Sequence, residues 1–151
     1  MLCLVLQPGE ERYLLDAGTI VEIVPFVHLK PLPHAPAWVA GLFDYRGEAV
    51  PVIDLTLLLG GRPSRALLTT RIVIVDYPLP GGGSHPLGLL SEQVMETVRI
   101  ADEEFMPAGV EVPDAPWLGP VTRRADGLEQ RVEVTELLPD EVRELLFTEC
   151  A

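Results

Sequence analysis

Basic residues are scarce in this chain. Its 151 residues include 11 Lys and Arg against 23 Asp and Glu, for a formal net charge of −12. Nucleic-acid binding rests on cations that neutralise phosphates, so that class of partner is excluded, and an anionic membrane surface is disfavoured for the same reason. The balance suits a soluble cytosolic protein or one that meets a basic partner surface. Cysteine is nearly absent. Cys3 and Cys150 stand near opposite ends, which is not a disulfide framework and reads as two free, non-catalytic thiols in a reducing compartment. No run approaches the ~20 apolar residues of a membrane span. The opening MLCLVLQPGEER has neither a basic n-region nor a cleavage site, so the expected location is the cytoplasm.

Motifs that carry chemistry are also missing. No G-x-x-x-x-G-K-[ST] occurs, and GGGS at 81–84 lacks the lysine and the following helix of a phosphate loop, so it reads as a flexible connection. His28, His34 and His85 show no metal-ligand spacing and are expected as exposed loop residues. Ser64, Ser84 and Ser91 sit outside any nucleophile-elbow pattern. Asp102-Glu103-Glu104 reads as a solvated loop or helix start. Asp54 closes an apolar strand without a second carboxylate at a defined spacing, so a cap on the next turn is its expected role. No catalytic residue, metal or cofactor is expected, and the chain reads as a non-enzyme.

What is present is proline and short apolar runs. The 15 prolines are about double the usual ~5% and exclude long helices over much of the chain. The 48% hydrophobic content allows a sizeable core. MLCLVLQ and RYLLD read as a hairpin across PGEE. TIVEIVPF places Ile20, Glu22 and Val24 on one face and Thr19, Val21 and Ile23 on the other. After a proline-rich crossing, WVAGLFDY and EAVPVIDL join at Arg46-Gly47, and LTLLLGG closes as a helical turn at Gly60. TRIVIVDY reads as a strand buried on both faces. LGLLSE and QVMETVRI follow as strands, then an acidic connection and a hairpin turning at Asp126-Gly127. TELLPDEVRELLF reads as an amphipathic helix capped by Asp140 or Thr135, with Val142, Leu145 and Leu146 inward. Roughly ten short strands at even spacing predict small barrels or a sandwich. Pro51 predicts an edge or a bulge.

Two segments stand out together: APAWVAGLFDYRGEAVPVIDLTLLLG at 35–60, and TRIVIVDY followed by HPLGLLSEQVMETVRI at 70–100. In this order they resemble the CheW-like chemotaxis coupling proteins, and the resemblance covers nearly the whole chain. It implies a mainly β fold of two five-stranded SH3-like barrels around a shared apolar core with a short C-terminal helix. It implies one CheW-like domain over residues 1–151, with two barrel subdomains divided near residue 70 and the N-terminal strand shared between them. It further implies a non-enzymatic adaptor, recruited to membrane receptor arrays, that couples the cytoplasmic tip of a chemoreceptor (a methyl-accepting protein) to the regulatory domain of a sensor histidine kinase.

Matched position by position, the resemblance assigns partner binding to Glu22 with Ile20 and Ile23, to Arg46 with Gly47, and to apolar groove positions Ile72, Val73, Leu87 and Val94. For those groove positions ordinary core packing is the competing reading. Where the family commonly has Asn-Leu before Arg-Gly, this chain has Asp44-Tyr45. PFVHLKPLPHAPAW and LGPVTRR are similar to coupling proteins of chemosensory systems with non-motility outputs, for example cyclic-di-GMP control. A β-barrel binding module of another class and an enzyme with a concealed site are the remaining alternatives.

Overall fold

Short β-branched runs cut by proline and glycine can pair only as brief strands. The computed structural model, which describes residues 1–148, has ten of them: β1 (Leu2–Leu6), β2 (Tyr13–Asp16), β3 (Ile20–Pro25), β4 (Val39–Tyr45), β5 (Glu48–Asp54), β6 (Arg71–Pro78), β7 (Ser84–Ser91), β8 (Val94–Arg99), β9 (Leu118–Arg124) and β10 (Gly127–Val132). Two short helices are α1 (Leu55–Gly60) and α2 (Asp140–Leu146). Cys150 lies outside the described residues. No helix among them is long and apolar enough to cross a membrane.

The strands form two five-stranded sheets, ordered β8-β1-β2-β10-β9 and β3-β6-β7-β5-β4. Pairing is antiparallel except for β2 with β10 and β5 with β7. The second sheet takes residues 20–91, and the first takes both flanks. The chain therefore changes sheet twice, after Asp16 and after Ser91, rather than at one cut near residue 70.

Neither sheet closes into the barrel implied by the resemblance, because β8 and β9 share no ladder in the first, nor β3 and β4 in the second. β3 ends on Pro25, and the segment between β3 and β4 carries Pro31, Pro33 and Pro36, none of which can donate a backbone hydrogen bond. Lys30 alone bridges to β4, exchanging both backbone bonds with Leu42 at 2.8 and 2.9 Å. The sheet curls nonetheless, and side chains from β3 and the end of β4 meet across the gap.

The period-2 alternation divides the apolar residues among three clusters. On β1, Leu4 and Leu6 face the core shared by the two sheets, with Leu15, Ile53, Val73, Val75, Leu87 and Leu89. Cys3 and Val5 face the other side of the first sheet, with Leu14 and Ile100. Val52, Ile72, Ile74 and Leu90 fill the second sheet, against Val24, Phe26, Phe43 and Tyr45. β6 is buried along Ile72–Val75, as its unbroken apolar run predicts.

Asp54 caps α1 as expected: its Oδ1 accepts from the Leu57 amide at 3.2 Å. The helix ends at Gly60, as expected, and is capped by Gly61 in the left-handed conformation. Pro51 lies in an internal strand rather than at an edge. It stands opposite Leu42, whose backbone bonds point away to Lys30, and pairing with β7 begins only at Val52. Its missing N–H is therefore not needed at that position. The second hairpin turns at Ala125-Asp126, because Gly127 already pairs with Arg124; Ala125 takes the positive φ of 51°.

His85 is on β7 rather than in a loop. Its Nε2 lies 3.1 Å from a Glu48 oxygen and its ring centroid 5.0 Å from that of Phe147. The glycine segment is a tight hairpin, with Leu79 and Gly83 bonded across it at 3.1 Å. α2 starts after Pro139, without a side-chain cap. Thr135 belongs to a separate 3-10 turn, Val134–Glu136. The inward residues of α2 are Val142 and Leu146, joined by Phe147 just past its end, while Leu145 is exposed. Phe147 stacks on Tyr77 at 5.7 Å.

Gly41 marks the tightest approach. A Cβ there would lie 2.4 Å from the Lys30 carbonyl oxygen, at a φ of 146°. Gly41→Ala is expected to lower the melting temperature by about 5 °C or more, read by calorimetry. An unchanged transition would mean that the proline-rich crossing does not pack on β4 as described.

Candidate interaction site

The turn between β4 and β5 has two central residues, Arg46 and Gly47, both at positive φ (53° and 83°). That combination matches the right-handed twist of a two-residue hairpin. Gly47 takes it freely, whereas Arg46 is held there by its neighbours. Asp44 Oδ1 accepts from the Gly47 amide at 3.0 Å. The guanidinium of Arg46 sits 5.1 Å from the Tyr45 ring centroid and donates to Glu22 Oε1 at 2.7 Å. The Tyr45 hydroxyl donates to the same oxygen at 2.6 Å, and that bond to Glu22 is the main reason its pKa is raised above the ordinary phenol value.

The curl of the second sheet thus joins Glu22 of β3 to Arg46, 24 residues away in sequence. Arg46 remains 74% exposed. The cluster is an ion pair braced by Tyr45, with the guanidinium held out on the rim. Tyr45 is the member that sequence reasoning did not assign. Its one available signal was an aromatic residue immediately before Arg-Gly, where the resemblance led to expect leucine.

The apolar candidates divide. Ile23 is exposed on the outer face of β3 beside Val21. Ile20 and Val94 are half-buried and pack against the shared core. Ile72, Val73 and Leu87 are fully buried and line no groove, which corrects the expectation for these three. Ile72 belongs to the core of the second sheet, and Val73 and Leu87 to the core between the sheets. A strand covered on both faces offers neither parity of its residues to a partner.

A second polar cluster was not read from the sequence. Glu92, between β7 and β8, has a fully buried side chain. It accepts from the Arg62 guanidinium, from the Arg65 guanidinium at 3.0 Å and from the Arg65 amide at 2.8 Å. The Arg62 bond, reinforced by Arg65 and opposed by burial, holds the Glu92 carboxyl at about 2, below its ordinary 4.5. The cluster ties the α1–β6 connection to the β7–β8 turn. Cys3 is buried, and desolvation raises its thiol pKa, which removes it as a nucleophile. Among the described residues no group of three His, Cys, Asp or Glu is placed to hold a metal.

A family model described as a CheW-like domain matches residues 2–141. The chemotaxis protein CheW of Rhizobium meliloti (strain 1021) is 25% identical over 99 residues, which is 66% of this chain and 61% of the relative. The chemotaxis protein CheW of Treponema pallidum (strain Nichols) is 42% identical over 98 residues, 65% of this chain and 57% of the relative. The chain thus spans about six-tenths of the length of these curated relatives. The crystal structure of the scaffolding protein TtCheW from Thermoanaerobacter tengcongensis superposes with a TM-score of 0.82 at 25% identity, covering 96% of this chain and 92% of that one.

Proposed function

Because the chain belongs to the CheW-like domain family, we propose that it is a non-catalytic adaptor coupling the cytoplasmic tip of a chemoreceptor to the regulatory domain of a sensor histidine kinase. It would work on the cytoplasmic side of membrane receptor arrays, recruited by these contacts and not by insertion. The observation that carries this reading is the Glu22–Tyr45–Arg46 cluster, which fixes one exposed cation on the rim of the second sheet.

A guanidinium already held in place loses little rotamer freedom when a partner carboxylate arrives. Charges at a rim add steering and register more than raw affinity. Ile23 with Val21 beside Glu22, and Ile20 and Val94 over the shared core, offer apolar surface at positions a helical tip can bridge. Gly47 contributes by allowing the turn that presents Arg46.

Titration calorimetry of the intact chain against a receptor tip and a kinase regulatory domain tests the reading. Arg46→Glu sets two carboxylates together and is expected to weaken binding of at least one partner about tenfold or more. The melting temperature should stay within about 2 °C of the parent, because exposed ion pairs contribute little to stability. A folded parent chain that binds neither partner would overturn the adaptor reading. A collapse of stability in Arg46→Glu would make the arginine structural.

A further inference from the structure

The connection between α1 and β6 does something unusual for a loop: it holds a leucine almost wholly in water. Leu68 is 93% exposed, yet the backbone around it is fastened on every side. Arg65 is bonded to Glu92 through its amide and its guanidinium. The Thr70 hydroxyl donates to the Arg65 carbonyl at 2.6 Å and accepts from the Leu67 amide at 3.1 Å. The guanidinium of Arg71 donates to the carbonyls of Leu68 and Thr70. The Thr69 carbonyl accepts from Val94 at 3.1 Å. An exposed apolar side chain on a fixed backbone has its ordering cost met before any partner arrives.

Charge sets this loop apart from the rest of the molecule. Residues 55–75 contain Arg62, Arg65 and Arg71 and no acid, on a chain whose net charge is −12. The carboxylates that reach into the loop, Glu92 and Asp54, are both buried, so the solvent-facing charges of this segment are all positive. β5 runs from the Arg46 turn to α1, and its seven residues separate the loop from that turn by about 20 Å.

We propose that this loop is a second docking element, in which Leu68 enters an apolar pocket rimmed by carboxylates on a partner protein while the arginines face that rim. An anionic lipid surface would attract the same arginines but would repel the remaining charge of the chain, so the complementarity favours a protein. The inference rests on the adaptor reading for the partners used to test it.

Leu68→Ala and Leu68→Asp are titrated against the receptor tip and the kinase regulatory domain, beside the parent chain. Loss of one buried leucine is expected to weaken binding of one partner about tenfold, and the aspartate about a hundredfold by adding repulsion from the acidic rim. Leu68→Met should bind as the parent does. All three variants should melt with the parent, since the side chain touches solvent. Parent binding that the Leu68 variants leave unchanged overturns this inference and spares the adaptor reading. A parent chain that binds neither partner overturns both. Flotation with phosphatidylcholine–phosphatidylglycerol vesicles completes the test: Leu68-dependent flotation would assign the loop to lipid and overturn the proposal.

Discussion

Val52→Asp is expected to yield a chain with no cooperative thermal transition and with dye-accessible apolar surface. Val52 is fully buried on β5, between Gly41 of β4 and Gly88 of β7. The fit is close enough that a Cβ on Gly88 would lie 2.9 Å from a Val52 methyl. Around it are Ile72, Ile74 and Leu90, which offer no donor to a carboxylate. An ionised group left unpaired there costs several kcal/mol even after its pKa rises to neutralise it. A domain of this size has only about 5–15 kcal/mol of stability to lose. The control is Val52→Thr, which keeps the shape and adds one hydroxyl; it is expected to fold with a loss of about 1–3 kcal/mol. Circular dichroism melts with dye binding separate the two outcomes. A Val52→Asp chain that melts cooperatively near the parent would show that the core of the second sheet is wetter than described.

In the fold every residue of 50–54 is buried, yet the placement of Val52 in a core was legible in the sequence from the apolar run that follows the Arg-Gly turn. So were the β4–β5 hairpin and the cap at Asp54, because each rests on local chemistry: two residues at positive φ, and a carboxylate one residue before a helix. The site was legible only by halves. Glu22 and Arg46 could be named by resemblance, but their meeting depends on the curl of a sheet whose edge strands share no backbone ladder. Nothing in the local pattern of β3 encodes that curl. Ile72, Val73 and Leu87 went astray for a different reason. In a sheet packed on one side against another and curled around its own core on the other, both parities of a strand are interior, and alternation no longer separates core from contact. On α2 the helical period admitted Leu145 and Leu146 together; the docking of Phe147 on Tyr77 selects the face that leaves Leu145 in water. Leu68 was invisible as a feature because exposure is decided by where the loop is tied, and the ties run to Glu92, 27 residues from Arg65.

Those ties lead to the second large effect. Glu92→Gln is expected to lower the melting temperature near neutral pH by about 5–10 °C, corresponding to a loss of about 2–3 kcal/mol. The glutamine keeps an acceptor for the Arg65 amide but leaves two guanidinium groups without their counter-charge. The pH dependence identifies the cause. In the folded chain the Glu92 carboxyl titrates at about 2, against an ordinary 4.5. A depressed carboxyl stabilises the fold fully above its unfolded value, and the contribution fades as pH falls toward the folded one. The gap in melting temperature between parent and variant should therefore be constant above pH ~5, narrow steadily below ~4.5 and close near ~2. A gap that persists undiminished at low pH would mean that glutamine disturbs packing and that charge is not the agent. The same substitution should speed hydrogen exchange at the Arg65 and Leu67 amides, since both depend on the order that Glu92 imposes on the loop. Binding then supplies the link from stability to function. If Leu68 is presented by that order, Glu92→Gln must weaken the partner that Leu68→Ala weakens, even at temperatures where the variant is fully folded; if the leucine acts without it, affinity will survive the loosened loop.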